Sequence, residues 1–553
     1  MRRFDLVLAA PVLLGPAVLA FAKGGYFDVP RLVAGVVACA LVVVVAVRDE
    51  RPVPRSAWLA AGGLAALTAW TGLSILWAPI AGGASDDFQR LLLYLFAFIA
   101  AVAVLQPPEV RRLVEPVLLA GIVAAALYGL SERLLPGVFS LDALPSADDR
   151  LAWPLTYWNA MGALTGMGLV LAAWVPSRAA LATSPILGLA CYLTFSRGAL
   201  GATAAGLAVL VALTPTVGQL RRAAVAGGAA ILAALATIPL SAVEAPGGSA
   251  TQGAVMIAAL AVLAAAAWWL APPATPGPSR DAAPTGPAPS PGEAAPTPPA
   301  PSPADAAPTP PAPSPADAAP TPRAPSPADA APTPPAPSPA DAAPTPRAPS
   351  PADAAPTPRA PSPADAAPTP PAPSPADAAP LLPPLRRAAV GALVLALAVT
   401  GIAVTRVERT GSGPAQGADP SRLVSAQSNR YEYWRVAVNE FADSPLQGGG
   451  SGSFRTVWLR ERTIDETVRD AHSLYIETAA ELGLVGLLAL VAFIAGIVSM
   501  ARRSPEAAGA IGALAVFAIH AGLDWDWEMP ALTLVALTLA ARLATPDARP
   551  DAS

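Results

Sequence analysis

Lysine is almost missing from this chain of 553 residues. Lys23 is the only one among 35 basic residues, and the rest are arginine. Histidine occurs twice, at 472 and 520, and cysteine twice, at 39 and 191. Each cysteine sits inside an apolar run, which excludes a disulfide framework and a thiolate metal site and leaves both as small core residues. The two histidines lie on separate segments and form no ligand set, so no metal and no cofactor are expected. Asp524 and Asp526 could at most hold a divalent ion weakly. Charge is scarce as well: 13% of residues are charged against 54% hydrophobic, with a mean hydropathy of +0.48. That balance excludes an ordinary soluble protein, because many apolar runs are long enough to span a bilayer. The formal net charge of −4 selects no partner, and no nucleic acid is expected.

What is abundant is the apolar helix. The fold class read from the sequence is all-α, a polytopic integral membrane protein of about fourteen transmembrane helices with one large external loop and a disordered proline-rich insert. The spans run from 4–22 to 530–545 and include single helices over 180–195 and 387–405. Each is apolar around its whole circumference, as helices facing lipid or one another must be. The first, after Met1-Arg-Arg, also reads as a signal peptide with a small-x-small site at Ala20-Phe-Ala22. Arginines cluster in alternate loops, at 48, 51 and 55, at 111 and 112, at 178, 221 and 222, at 386 and 387, and at 502, 503 and 542. The intervening short loops Ala78–Asp87 and Ser241–Ala250 carry none, so both termini are expected in the cytoplasm. The same parity places Arg150, Arg197, a polar loop over 406–481 and the Asp524–Glu528 turn on the outer face.

Three regions follow: 1–271, a first helix bundle of about ten spans; 272–384, a cytoplasmic linker; and 385–553, a membrane part of about four spans with the loop 406–481. The linker repeats every twelve residues, marked by Asp305, Asp317, Asp329 and on to Asp377. Built from proline, alanine and serine, it has too few apolar side chains to bury, so disorder or polyproline II is expected. Its Pro-x-x-Pro spacings could dock a cytoplasmic partner, or the repeat is simply a tolerated linker.

The loop is the longest polar, non-repetitive stretch. Between Arg422 and Phe441, the residues Tyr431, Trp434, Val438 and Phe441 fall at helical spacing and predict an amphipathic helix with Arg430, Arg435 and Glu440 off the apolar stripe. Ser444-Pro-Leu-Gln-Gly-Gly-Gly-Ser-Gly-Ser-Phe454 is rich in turn residues. Its glycines suit either a tight return to the membrane or backbone amides approaching a phosphate. His472 precedes an apolar helix. If that helix begins at the histidine, Tyr475, Ile476, Ala479 and Gly483 share its face, whereas Glu477 and Glu481 point away and Asp470 or another loop must orient the ring. Asp524 is one turn from His520, so the two can pair, or close over a sugar with Trp525 and Trp527. Arg197 stands in Phe195-Ser-Arg-Gly198, a break too short for a loop. A charge at that depth is costly unless paired or hydrated, so it either snorkels to headgroups or serves a site.

Taken together, Arg430 through Phe441, Ser444 through Phe454, His472 through Gly486, Arg150-Leu-Ala-Trp-Pro-Leu-Thr-Tyr-Trp-Asn159 and Phe195-Ser-Arg-Gly-Ala199 resemble the O-antigen ligase and polymerase family of polytopic membrane glycosyltransferases. Ser473 stands where that family usually has asparagine. The resemblance implies a bacterial cytoplasmic-membrane enzyme of cell-surface polysaccharide biosynthesis. It would transfer a glycan, with inversion, from a polyprenyl diphosphate carrier to a hydroxyl of a glycan or lipid acceptor. It implies His472 as catalytic base and Arg197, Arg430 and Arg435 as diphosphate-binding residues, with Arg150, Asp524 and Trp525 as further substrate contacts. Arginine suits that task because its planar fork meets two phosphate oxygens at once. The loop as a whole, with nine arginines and nine acids between Arg406 and His472, has no bulk positive field, so local placement must select. The alternatives are a lipid-linked glycan flippase or other transporter, or a non-catalytic membrane scaffold. A carrier of that kind would need ionisable side chains at mid-membrane depth, and the spans show none.

Overall fold

A computed structural model describes residues 3–48, 53–272 and 428–546. The repeat, the expected span over 387–405 and the loop up to 427 lie outside the described residues. The described chain is mostly helical, with no β-strand among those residues. Ten described helices of ten residues or more precede the repeat: α1 (Arg3–Phe21), α2 (Asp28–Arg48), α3 (Trp58–Ser74), α4 (Ala81–Val104), α5 (Val114–Leu134), α6 (Trp158–Trp174), α7 (Ser184–Leu193), α8 (Arg197–Leu213), α9 (Val217–Leu235) and α10 (Ala250–Leu270). After it come the loop helices α11 (Arg430–Asp443) and α12 (Phe454–Glu461), then α13 (Leu474–Arg503), α14 (Ala508–Ala521) and α15 (Pro530–Arg542). Five described helices are long and apolar enough to cross a membrane, Asp28–Arg48, Ala81–Val104, Pro108–Leu134, Ala250–Leu270 and Leu474–Arg503, and shorter apolar helices pack among them. The single helix expected over 180–195 is instead two pieces, Arg178–Ala182 and α7. Pro185 lies in the first turn of the second piece and cannot continue an incoming helix.

The bundle is organised around α6. Every residue from Asn159 to Ala173 is buried, and the helix is built from alanine, glycine, leucine and methionine, with no charge to keep any side toward water. Its last carbonyls are met by Arg222 of α9, whose Nε donates to the Ala173 carbonyl at 2.8 Å. Ser196, Thr216, Ser249 and Ser473 each accept a backbone N–H at a helix start, which satisfies donors that the helix itself leaves over.

Helices from after the repeat pack directly on those before it: α13 on α3, α14 on α6 and α8, α15 on α1 and α4. Small residues permit these crossings. A Cβ on Gly63 of α3 would lie 2.3 Å from the Phe493 amide of α13, and one on Gly496 of α13 would lie 2.3 Å from the Ala60 amide of α3. The two backbones are therefore in reciprocal contact, the small-residue approach that drives association where lipid removes the hydrophobic incentive.

The turns between α1 and α2, α3 and α4, α5 and α6, α7 and α8, and α14 and α15 all meet the 430–473 loop or one another at one end of this bundle, through the contacts described below.

Gly496→Val should separate α3 from α13, since backbone cannot yield as a flexible side chain would. A loss on the order of 1–3 kcal/mol is expected for such overpacking, read as a lowered melting temperature of the detergent-solubilised protein. Gly62→Ala, which meets nothing within 4 Å, should leave it unchanged.

Candidate functional site

The loop carries its own small core of Tyr433, Val436, Ala437, Phe454, Trp458, Ala471 and Ala480. It is the 433/436/437/440 face of α11 that turns inward, whereas Tyr431 and Val438 are exposed. The expected apolar stripe is thus not the buried one. Polar partners inside the loop decide the rotation: the Tyr433 hydroxyl donates to Glu466 at 2.7 Å, and the Ser453 hydroxyl donates to the buried Glu440. Burial pushes the Glu440 carboxyl up to about 7, against the opposing hydrogen bond from Ser453.

The glycine run is a clip. At Gly483 the backbone of α13 leaves helical geometry, with φ 63° and ψ −163°. The loop before α12 docks in that gap. Gly449 and Gly450 donate to the carbonyls of Ala480 and Glu481, while Leu484 and Val485 donate to those of Pro445 and Leu446. The Leu482 carbonyl is taken by the Trp70 indole of α3 at 2.9 Å. The Glu481 carboxylate accepts from the amides of Gly452 and Phe454 at 2.8 and 3.2 Å. A Cβ on Gly448, whose φ is +74°, would fall 2.3 Å from the Glu481 carbonyl. With the amides of 449, 450 and 452 engaged in this way, the tight-turn reading fits the geometry and a phosphate nest does not.

His472 lies between the clip and the bundle. It is half-buried and left-handed at φ +56°, so α13 begins only after it, with Ser473 as the N-cap. The helix does not reach the histidine, so its face geometry does not apply to it, but Glu477 still makes no bond to the ring. Glu477 folds back instead and accepts the Ala471 N–H at 2.6 Å. The His472 Nδ1 lies 2.9 Å from the Asp470 carbonyl. A carbonyl can only accept, so Nδ1 carries the proton and the lone pair is on Nε2. The ring lies 5.0 Å from that of Tyr433.

Asp524 is the hub of the opposite wall. It has no exposed surface and accepts from Arg430 of α11 at 2.6 Å, Asn159 of α6 at 2.6 Å, the Tyr157 hydroxyl and the Trp525 amide. Burial alone would push its carboxyl up; the Arg430 guanidinium, with help from the two histidines, more than offsets that and holds it below its ordinary value. The expected His520–Asp524 pair does not form. Because α14 ends at Ala521, the chain turns there, and it is Asp526 that returns to accept from His520 Nδ1. The other nitrogen of His520 faces the Ser196 hydroxyl at 3.4 Å, and its ring lies 3.3 Å from where a Gly198 Cβ would be. Serine, histidine and aspartate are lined up but buried, and their effect is to brace the break at which Arg197 opens α8.

The remaining candidates separate. Trp525 stacks on Tyr157 at 4.1 Å and stands 5.6 Å from Tyr26. Arg150 is 9% exposed, lies over the Trp158 ring at 3.8 Å and donates to the Ala147 carbonyl. Arg435 is gripped by both oxygens of Glu432, at 2.9 and 2.7 Å, and reaches the Glu461 carbonyl. The hydrogen bond from Arg435 holds the Glu432 carboxyl at about 2. Five residues along a helix from Arg430, Arg435 faces away from it, and its geometry is the ordinary i, i+3 pair. The sequence reading missed Arg90, whose guanidinium bonds Asp87 at 2.8 Å and Glu528 at 3.0 Å. An arginine two turns into an apolar helix was the signal available.

The described chain is therefore a helical membrane protein with a structured polar loop clipped to one end of its bundle. Residues 380–491, about a fifth of the chain, match the sequence model of the family described as O-antigen ligase, a match that supports membership of the O-antigen ligase and polymerase family. The match supports a ligase-like role in surface polysaccharide biosynthesis; the family implies a lipid-linked glycan and a glycan or lipid acceptor, and together with the apolar helices it points to a bacterial inner membrane. The matched stretch includes Arg430, Arg435 and His472; Arg150, Arg197, Asp524 and Trp525 lie outside it. No curated protein gives a significant match.

Because the Glu440 folded value of about 7 lies above the unfolded one near 4.3, the folded state binds more protons between these two pH values. Stability should therefore fall as pH rises from about 4 to 7 and level off above, by on the order of 3–4 kcal/mol. Glu440→Gln should flatten that part of the curve, measured by Trp458-region fluorescence melts.

Proposed function

We propose that this chain transfers a glycan from a polyprenyl diphosphate to an acceptor hydroxyl at the outer face of the membrane, inverting the anomeric centre. The observation that carries the reading is the placement, on one domain of ligase type, of a histidine with its lone pair on Nε2 and an arginine held by a buried carboxylate at the same end of the bundle. In this reaction Nε2 of His472 takes the proton of the acceptor hydroxyl. The acceptor oxygen attacks the anomeric carbon from the side opposite the diphosphate, the bond from that carbon to the diphosphate oxygen breaks, and the diphosphate leaves with the electron pair. Arg430 and Arg197 stabilise the charge gathering on it. Trp525 offers an aromatic face to a sugar ring. The geometry favours Arg430 over Arg435 for the diphosphate, since Glu432 already occupies the latter. Whether the acceptor is a lipid or a growing glycan, the chemistry is the same.

With purified protein, a polyprenyl diphosphate glycan and an acceptor, free lipid diphosphate should be released. His472→Ala should lower turnover by roughly 10²- to 10⁴-fold with donor affinity nearly unchanged. Arg430→Lys should weaken donor binding as well, because a point charge does not replace the fork. Full activity of the alanine variant would place the base elsewhere. Loss of donor binding in it would make His472 a structural residue.

Orientation has its own test. Ser146→Cys and Thr463→Cys, both at exposed positions, should react with an impermeant thiol reagent in whole cells in a background lacking Cys39 and Cys191, and Ser314→Cys should not. Labelling at 314 would overturn the arginine-based topology.

A further inference from the structure

Around the turn that carries His472, a cleft is lined by five acids (Asp87, Asp470, Glu477, Glu481 and Glu528) and three arginines (Arg90, Arg455 and Arg469). The acids are not equally answered. Arg90 bonds Asp87 and one oxygen of Glu528, and Glu481 accepts the amides of Gly452 and Phe454. Asp470 and Glu477 are in no ion pair among the described residues, and Glu477 has a single backbone amide. One carboxylate oxygen each from Asp470, Glu477 and Glu528 lie within 4.8 Å of one another.

A second observation points the same way. Glu528 is only 8% exposed, and while its Oε1 meets Arg90, its Oε2 is buried with no hydrogen-bond partner. An ionised oxygen in that position costs several kcal/mol unless something neutralises it. The three carboxylates repel one another, and the described residues supply them no further donor.

We propose that Asp470, Glu477 and Glu528 bind a divalent cation of the calcium type. Hard cations of this kind take carboxylate oxygens at about 2.3–2.6 Å, so two oxygens on one ion stand at most roughly 5 Å apart, a limit that these three, all within 4.8 Å of one another, meet. The chain's backbone carbonyls and water would complete the shell. The ion takes no part in the transfer step proposed above, which needs no metal. Its effect is to join three segments. Asp470 supplies the carbonyl that sets the His472 tautomer, Glu477 holds the Ala471 amide in the same turn, and Glu528 belongs to the hairpin between α14 and α15. A cation among them fixes the left-handed histidine turn against the hairpin that carries Asp524.

Trp525 and Trp527 line the same cleft, which gives a direct optical test. Terbium(III) added to the purified full chain in detergent, with excitation of tryptophan, should give saturable sensitised emission that calcium displaces. Glu528→Gln and Glu477→Gln should each weaken terbium binding by roughly tenfold or more, the loss typical of altering a metal's surroundings. The second variant touches no arginine and so leaves the Arg90 pairs in place. Asp465→Asn, at a fully exposed side chain, should bind as the parent does. Absence of sensitised emission, emission that survives both glutamine variants, or displacement by potassium chloride as readily as by calcium would overturn the proposal. None of these readings depends on glycan transfer, so failure here and failure of the enzymatic reading are separate results.

Discussion

A carboxylate with no exposed surface has to be met by donors, and the structure at the loop end of the bundle is arranged around meeting one. Asp524 draws a hydroxyl and an amide from the start of α6, a guanidinium from α11 and a backbone amide from its own hairpin. Three parts of the chain that are far apart in sequence are thereby fixed to one atom pair. Losing any donor would leave a buried charge less answered, which costs more than the missing bond alone. The loop helix is therefore not resting on the bundle by apolar contact only; its first residue is held by charge.

The other attachment is made of backbone. A helix that breaks at Gly483 leaves carbonyls without partners, and a glycine-rich loop that lacks side chains can bring its amides close enough to use them. Each irregularity repairs the other. The consequence for His472 is positional: the clip fixes the start of α13, Ser473 caps it, and the histidine is left in the turn just before, with its ring set by the Asp470 carbonyl. The residue in strained backbone geometry is the one to which the chemistry is assigned, a pairing common at functional sites.

How much of this could be read from the sequence depended on whether the signal was periodic or relational. Apolar runs announced helices, and the turn-rich glycines announced a tight return, because both are local properties of the chain. The face of α11 was misjudged because hydropathy spacing took no account of Glu466 and Ser453, which draw Tyr433 and Glu440 inward. The His520 pairing was misjudged by one turn because helical spacing was extended past the end of α14. The helix after His472 was assumed to start two residues early; Glu477 in fact returns to the Ala471 amide, and the ring is left to the Asp470 carbonyl. Arg90 and the convergence of Asp470, Glu477 and Glu528 depend on three segments meeting, and no spacing within one segment carries that information. Residue types at the site were legible; their partners were not.

The pairing of Arg430 with Asp524 also constrains the proposed reaction. A guanidinium whose charge is already balanced by a buried carboxylate offers a diphosphate geometry more than field, since the carboxylate holds its planar fork in place while the pair as a whole is near neutral. A leaving group that gathers two or more negative charges needs further positive charge as well. Arg435 is gripped by Glu432, and Arg150 lies stacked on Trp158. Arg197 stands at the first turn of α8, where the helix dipole adds to its charge and where His520 and Asp526 brace the break through Ser196. In the proposed enzyme the two arginines thus divide the work: Arg430 orients the diphosphate, and Arg197 supplies the charge that lets it leave.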